Sequence, residues 1–196
     1  MGLELINGPT SPFGRTAKVA ALELDIALEE RIIDVYTADF LDRWNPLRQI
    51  PTLIVNGESA IYDSRNICAF FDALSARPTI FPLDDWPHLT RVALANGIME
   101  AGLQRRMEVM RPAEERSQSV IDKMEARIGR CLDHLERLAA TISRGPLRMD
   151  QIAAACALEY TDYRFSGAWR ARCPELARWL ADFSRRPAMV ESRPRE

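Results

Sequence analysis

Histidine is almost absent from this chain, with two in 196 residues, and the four cysteines, Cys68, Cys131, Cys156 and Cys173, stand far apart with no C-x-x-C pair. Neither a zinc site nor a dithiol redox motif is encoded, so no metal is expected and the cysteines read as buried free thiols. An excess of one charge is also lacking. The 26 basic and 28 acidic residues are interspersed and leave a formal net charge of -2. That balance gives no electrostatic footprint for nucleic acid or an anionic membrane. No apolar run approaches the roughly 20 residues needed to span a bilayer. The opening Met1-Gly2-Leu3-Glu4 has no basic stretch followed by an apolar one. A cytoplasmic location is the resulting expectation. No internal repeat or low-complexity tract occurs.

What is present suits a globular protein. Hydrophobic residues make up 47% of the chain, enough for a real core in one large domain or two small ones. Leu3 to Ile6 forms a short apolar strand candidate, Phe13 to Leu24 is helical with Ala17, Ala20, Ala21 and Leu24 on one face, and Arg31 to Val35 resembles a second strand. After a loop from Thr37 to Gln49 comes a strand from Thr52 to Val55. Asn56-Gly57 then makes a two-residue hairpin turn into Ser59 to Tyr62, and Ser64 begins a helix reaching Leu74. From Pro87 onward the alternation disappears. Ile121, Met124, Ile128, Leu132, Leu135, Leu138 and Ile142 repeat at helical spacing, so the second half reads as all helix. The aperiodic stretch with Pro78 and Pro82 suits a linker. The expected organisation is therefore an α/β domain over 1–77, a linker over 78–86 and a helical domain over 87–196.

The richest stretch is Asn45-Pro46-Leu47-Arg48-Gln49-Ile50-Pro51-Thr52-Leu53-Ile54-Val55, followed closely by Tyr62-Asp63-Ser64. Proline has no N–H for a ladder and is tolerated at the first residue of a strand, which leaves the backbone of Ile50 open to another partner. An extended, peptide-like ligand pairs with such main chain as an added strand would. A carboxylate and a hydroxyl at a helix start, here Asp63 and Ser64, suit an amino-acid terminus.

These features, in this order, resemble the cytosolic glutathione S-transferases over almost the whole chain. The resemblance begins at Thr10-Ser11-Pro12-Phe13, which is similar to the turn carrying the family's active-site hydroxyl or thiol. It continues through Asn45-Pro46-Leu47, Gln49-Ile50-Pro51 and Asp63-Ser64. In the second half, Asn96-Gly97-Ile98-Met99-Glu100-Ala101, Arg111-Pro112, Ile152-Ala153, Cys156-Ala157-Leu158 and Asp162-Tyr163-Arg164-Phe165 are similar to a bacterial subgroup, here with a serine-type active site. Arg186-Pro187 and Arg193-Pro194 resemble the C-terminal signature. The implied fold class is α+β, a thioredoxin-like domain followed by an all-α glutathione-transferase domain.

The resemblance also implies roles. Ser11 would donate a hydrogen bond to the sulfur of bound glutathione, a co-substrate, and so favour the thiolate. A hydrogen bond to a charged group contributes about 1.5–3 kcal/mol, or one to two pKa units, and a thiol near 8.5 then ionises substantially at neutral pH. Ser11 as a mere helix cap, or Thr10 as the active hydroxyl, are the alternatives. Pro51 would be cis, letting Ile50 offer N–H and C=O to the cysteinyl backbone. Asp63 and Ser64 would take the γ-glutamyl end, or else serve as a first-turn acid and an N-cap. Gln49 stands where the family often has lysine, which removes a charge for the glycyl carboxylate. An electrophile pocket lined by Phe13, Met99, Leu103 and Arg106 is implied between the domains, and core packing or a dimer contact is equally open for Met99, Leu103 and Arg106. Arg15 sits near the positive end of a helix, where a cation is slightly unfavourable; facing an anion or an acid of the second domain is the alternative to the solvated position expected, and both histidines are expected at the surface. Arg148 stands where a serine or threonine capping box is usual, with Asp150 able to assume part of that role. The activity implied is thiolate addition to a small hydrophobic electrophile, or a related glutathione-dependent reduction, by a homodimer. A non-catalytic binding module on the same fold is the alternative.

Overall fold

The computed structural model describes residues 1–194; the last two positions of the expected 87–196 helical span lie outside the described residues. Strand β1 (Leu3–Asn7) leads into helix α1 (Pro12–Glu23), then β2 (Glu29–Ile32), a 3-10 turn at Asp39–Arg43, β3 (Thr52–Val55), β4 (Ser59–Ile61) and α2 (Ser64–Leu74). The sheet order is β2-β1-β3-β4, with β1 and β2 parallel and the other pairs antiparallel. Helices and strands here follow local chemistry. Pro12 occupies the first turn of α1, where a missing N–H costs nothing, and Asp63 caps α2. Val19, Ala20, Ile67 and Phe71 are buried with Leu5, Ile6 and Leu53 of the sheet.

Two local expectations need correction. β2 spans Glu29–Ile32, not Arg31 to Val35. The apolar Ile33 and Val35 that suggested the later strand instead pack beside the cluster of Ile6, Leu41 and Ile54, while the ladder to β1 uses Glu29 to Ile32. The hairpin register pairs Val55 with Ser59, so three residues separate the strands rather than two. Asn56 and Gly57 both take positive φ (53° and 68°), and Glu58 N–H closes the turn on the Val55 carbonyl at 3.0 Å.

The second half contains α3 (Trp86–Val109), α4 (Gln118–Arg137), α5 (Ala139–Ile142), α6 (Met149–Arg164), α7 (Trp169–Arg172) and α8 (Pro174–Phe183), and α9 (Pro187–Glu191) follows. The apolar stripe from Ile121 to Ile142 is divided between α4 and α5 at Leu138. Two compact units result, Leu83–Arg185 and Met1–Pro82 joined by Arg186–Glu196. The C-terminal segment thus packs with the α/β unit and not with the helical span in which the sequence reading placed it. There Arg186 meets Glu23 of α1 at 2.7 Å and Met189 is fully buried.

In the helical unit α6 is buried along most of its length and packs on α3. His88 is fully buried, contrary to the surface position expected, because its Nδ1 lies 3.2 Å from the buried Asp150 carboxylate. Asp150 also accepts from Arg91 Nε at 2.5 Å and from Gln151 N–H at 3.1 Å. Arg148, with no side-chain acceptor, supplies half a capping box: its N–H donates to Gln151 Oε1 at 2.8 Å. His134 is exposed, Trp169 is buried, and Trp179 is half-buried. Three cysteines are buried; Cys131 is only partly so, and burial pushes its thiol pKa up. No helix among the described residues is long and apolar enough to cross a membrane.

Candidate functional site

The register of the sheet brings three connections to one end. Ile6 pairs with Thr52 and Leu53 pairs with Ile61, so the exit of β1, the entry of β3 and the exit of β4 lie side by side. From that end α1 starts at Pro12 and α2 at Ser64. Two helix N-termini therefore stand beside the Ile50–Pro51 step. Each carries the partial positive charge of a helix start, an arrangement suited to anionic groups.

At the first of these, Ser11 is the N-cap of α1. Its Oγ accepts from Gly14 N–H at 3.1 Å, and its own N–H donates to the Gly8 carbonyl at 3.3 Å. A hydroxyl that accepts retains its hydrogen to donate. The side chain is partly exposed, as is Thr10. Beneath it, the loop is held by Asn7, whose Oδ1 accepts from Gly8 N–H at 2.8 Å while its Nδ2 donates to Glu30 at 2.9 Å. Lys18 completes this chain with a 2.5 Å contact to Glu30. The crossing is tight: a Cβ on Gly14 would fall 1.6 Å from Asn7 Oδ1.

Ile50 and Pro51 are joined by a cis bond, as the sequence reading expected. A Cβ on Gly8 would lie 2.6 Å from Ile50 Cδ1 and 4.0 Å from Ser11 Cβ, so the structure brings Ser11 and Ile50 together across Gly8. The turn is fixed by Asn45, which is 1% exposed. Its Nδ2 donates to the Gln49 carbonyl at 3.0 Å and to Thr52 Oγ1 at 2.9 Å, and its Oδ1 accepts from Leu47 N–H at 3.0 Å. Gln49 is exposed, with its carbonyl also taking the Thr52 hydroxyl at 2.8 Å. Beside it, Arg48 is paired with Asp39 and with Asp42 at 3.2 Å.

The second N-terminus reverses the local roles foreseen for Asp63 and Ser64. Asp63 is the N-cap, Oδ1 accepting from Arg65 N–H at 2.9 Å and Asn66 N–H at 3.4 Å, and Ser64 is the first helical residue and buried. The Tyr62–Asp63 bond is also cis. Asp63 Oδ2 additionally meets Arg65 Nη2 at 3.1 Å.

The four expected pocket residues are dispersed in character. Phe13 is half-buried on α1; on α3 Leu103 is exposed, Arg106 half-buried and Met99 fully buried. Met99 has no accessible surface with which to line a pocket, a departure from the expectation that follows from its place on the interior side of α3. Asn7 was not foreseen as part of this region and carried no local signal; Asn45 lay in the stretch singled out in the sequence, but its role in holding the turn was not foreseen. Arg15 is 5% exposed rather than solvated, since its Nη2 donates to the Met189 carbonyl at 3.2 Å. Among the described residues no group of three or more His, Cys, Asp or Glu side chains is placed to hold a metal ion.

Residues 5–79 match the model for the glutathione S-transferase N-terminal domain. The chain is 30% identical, over 200 aligned positions and 98% of both proteins, to YibF, an uncharacterized GST-like protein of Escherichia coli (strain K12). A glutathione transferase family member from Pseudomonas fluorescens Pf-5, solved with bound glutathione, shares 32% identity and a TM-score of 0.92 over the whole of both chains. A structure of a family member from the same source with bound S-(propanoic acid)-glutathione gives 30% identity and a TM-score of 0.88, covering 100% of this chain and 98% of that one. This chain belongs to the glutathione S-transferase family.

Proposed function

We propose that this protein binds glutathione along the open end of its sheet and activates the thiol. The thiolate would then add to a small hydrophobic electrophile or enter a related glutathione-dependent reduction. One observation carries the reading: the N-termini of α1 and α2 converge beside the cis Ile50–Pro51 step. A ligand strand running antiparallel to Ile50 would place its cysteinyl residue on the Ile50 main chain, its glycyl end toward Gln49 and its γ-glutamyl end toward Asp63 and Ser64. The sulfur then faces α1, where Ser11 donates its hydroxyl hydrogen. The role of Ser11 is activation and not attack, since a nucleophilic serine needs a neighbouring base and the hydrogen bond at Ser11 Oγ is to the Gly14 N–H. The glutathione complexes of related proteins support the choice of thiol.

The test is calorimetric titration of glutathione with parent, Asp63→Ala and Ser11→Ala proteins, followed by the pH profile of conjugation to 1-chloro-2,4-dinitrobenzene. Asp63→Ala should weaken binding by about 1.5–3 kcal/mol. Ser11→Ala should retain much of the binding, lose rate at neutral pH and recover part of it as solution pH generates the thiolate. Overlapping pH profiles would remove Ser11 from the activating role. Absence of binding at millimolar glutathione would favour a non-catalytic binding module. That second reading draws on Gln49, an exposed amide without the charge to attract a glycyl carboxylate, and on Arg148 at the start of α6.

A further inference from the structure

The segment after Arg185 ends in α9, a helix of five residues and too short to hold its shape alone. It is tied to α1 at both ends. Arg186 lays its guanidinium on Glu23, Nε to Oε1 and Nη2 to Oε2, both at 2.7 Å, in a bidentate fork. Arg15 donates from Nη2 to the Met189 carbonyl at 3.2 Å and from Nε to Ser192 Oγ at 3.3 Å. The Met189 carbonyl is one of those left without an intrahelical partner at a helix C-terminus, where a cation is also favourable. The segment therefore runs antiparallel to α1, attached near Glu23 and near Arg15, about 12 Å apart along the helix axis. Met189 is fully buried, so apolar packing joins the two ties.

Arg15 has a second place in this arrangement. Its backbone N–H donates to the Ser11 carbonyl at 3.0 Å and closes the first turn of α1, the turn that presents Ser11. One residue thus completes that turn with its main chain and anchors the C-terminal segment with its side chain. The Arg15 guanidinium is buried and two of its hydrogen bonds go to the segment, so losing those acceptors loosens the hold of the protein interior on Arg15 and on the turn it closes.

We infer that Arg186–Ser192 is a brace for the first turn of α1, and that Arg15 is a positioning residue through which the brace fixes the direction of the Ser11 hydroxyl. The functional half rests on the proposed role of Ser11; the structural half does not. A consequence is that the α/β unit reaches its working form only when the chain, after traversing the helical unit, returns to it.

The experiment uses the full chain with Ser192→Ala and Glu23→Gln, two residues outside the ligand site, each first shown to be folded by circular dichroism. Hydrogen exchange of the amides from Phe13 to Thr16 should quicken by about fivefold or more in both variants, with α2 unchanged. Titration of the ultraviolet absorbance of bound glutathione thiolate should shift upward by about half a pKa unit or more, with kcat at neutral pH falling more than KM rises. Arg15→Lys, which keeps the charge, should lie between parent and Arg15→Met. Unchanged exchange in both variants overturns the brace, whatever Ser11 does. Faster exchange with an unmoved thiol titration, where Ser11→Ala does move it, overturns the positioning role alone. A titration unmoved by Ser11→Ala as well places the failure in the reading of Ser11 and overturns the positioning role with it.

Discussion

Removing the Asn45 side chain tests whether the Ile50–Pro51 turn is held from within. The side chain is buried and makes three hydrogen bonds, to the Gln49 carbonyl, to Thr52 Oγ1 and from Leu47 N–H. At about 1 kcal/mol each, Asn45→Ala forfeits roughly 3 kcal/mol. Two features reduce that figure: the Gln49 carbonyl keeps the Thr52 hydroxyl, and the exposed Leu47 can be hydrated. A loss of about 2 kcal/mol in urea unfolding is the expected result, with a fall in glutathione affinity beyond what the unfolded fraction explains. Asn45→Asp is the sharper variant. It preserves shape and the acceptor for Leu47, yet sets a carboxylate oxygen against the Gln49 carbonyl, which can only accept. It should be at least as unstable as the alanine variant at neutral pH and should recover as the carboxyl protonates. A loss below about 0.5 kcal/mol for both, with unaltered glutathione binding, would refute the assignment of Asn45 as the organiser of the turn.

Gly14→Ala would drive a methyl group into Asn7, whose Oδ1 lies 1.6 Å from the new Cβ. We expect a cost of about 2–4 kcal/mol in urea unfolding from overpacking and lost hydrogen bonds, partly relieved in the double variant with Asn7→Ala; strict additivity would count against the clash. At acid pH, the stability of the helical unit should depend on Asp150. Burial pushes its carboxyl pKa up, but hydrogen bonds from His88 and Arg91 and their charges outweigh that and leave it below 3.8. The unfolded chain therefore takes up this proton first as pH falls. Its contribution is complete above about pH 4–5 and is lost as pH drops through the lowered folded value. In Asp150→Asn, equilibrium unfolding followed from pH 7 to pH 3 should start lower and fall less steeply; an unchanged slope would show that the pairing adds no stability.

Local chemistry carried most of what was legible in the chain. The range of α2, Ser64 to Leu74, and the strand Thr52–Val55 follow from signals a few residues away: a polar aspartate-serine pair at the helix start, an asparagine-glycine turn and a proline at a strand entry. The same kind of signal missed β2, because alternation at Ile33 and Val35 reports which side chains meet the core and not which main-chain groups join the ladder. Buried charge was invisible for a different reason. Arg15 reaches Ser192, 177 positions away, and His88 meets Asp150 from another helix. Burial of such groups depends on a partner that only the fold supplies, and the place of Arg15 near the positive end of a helix does not name that partner. The site was legible to the extent that its groups lie at element termini, where one residue type serves both the backbone and a ligand.

That double service differs between the two helix starts. Ser11 accepts from Gly14 N–H and still has its hydroxyl hydrogen, so capping α1 and donating to a sulfur draw on separate capacities of one group. Asp63 has no hydrogen to give, and its oxygens are already engaged, Oδ1 with two backbone N–H groups and Oδ2 with the Arg65 guanidinium. A ligand ammonium at Asp63 would share Oδ2 with Arg65, an exposed pair of the kind worth about 0–1 kcal/mol. Displacing Arg65 therefore costs little, and the carboxylate remains available without disturbing the cap. Arg65 then becomes the group that decides how strongly the acidic side chain is felt. Neutralising it should strengthen the attraction of Asp63 for a ligand ammonium, while no comparable reserve exists at Ser11, where the hydroxyl has only the one hydrogen to place.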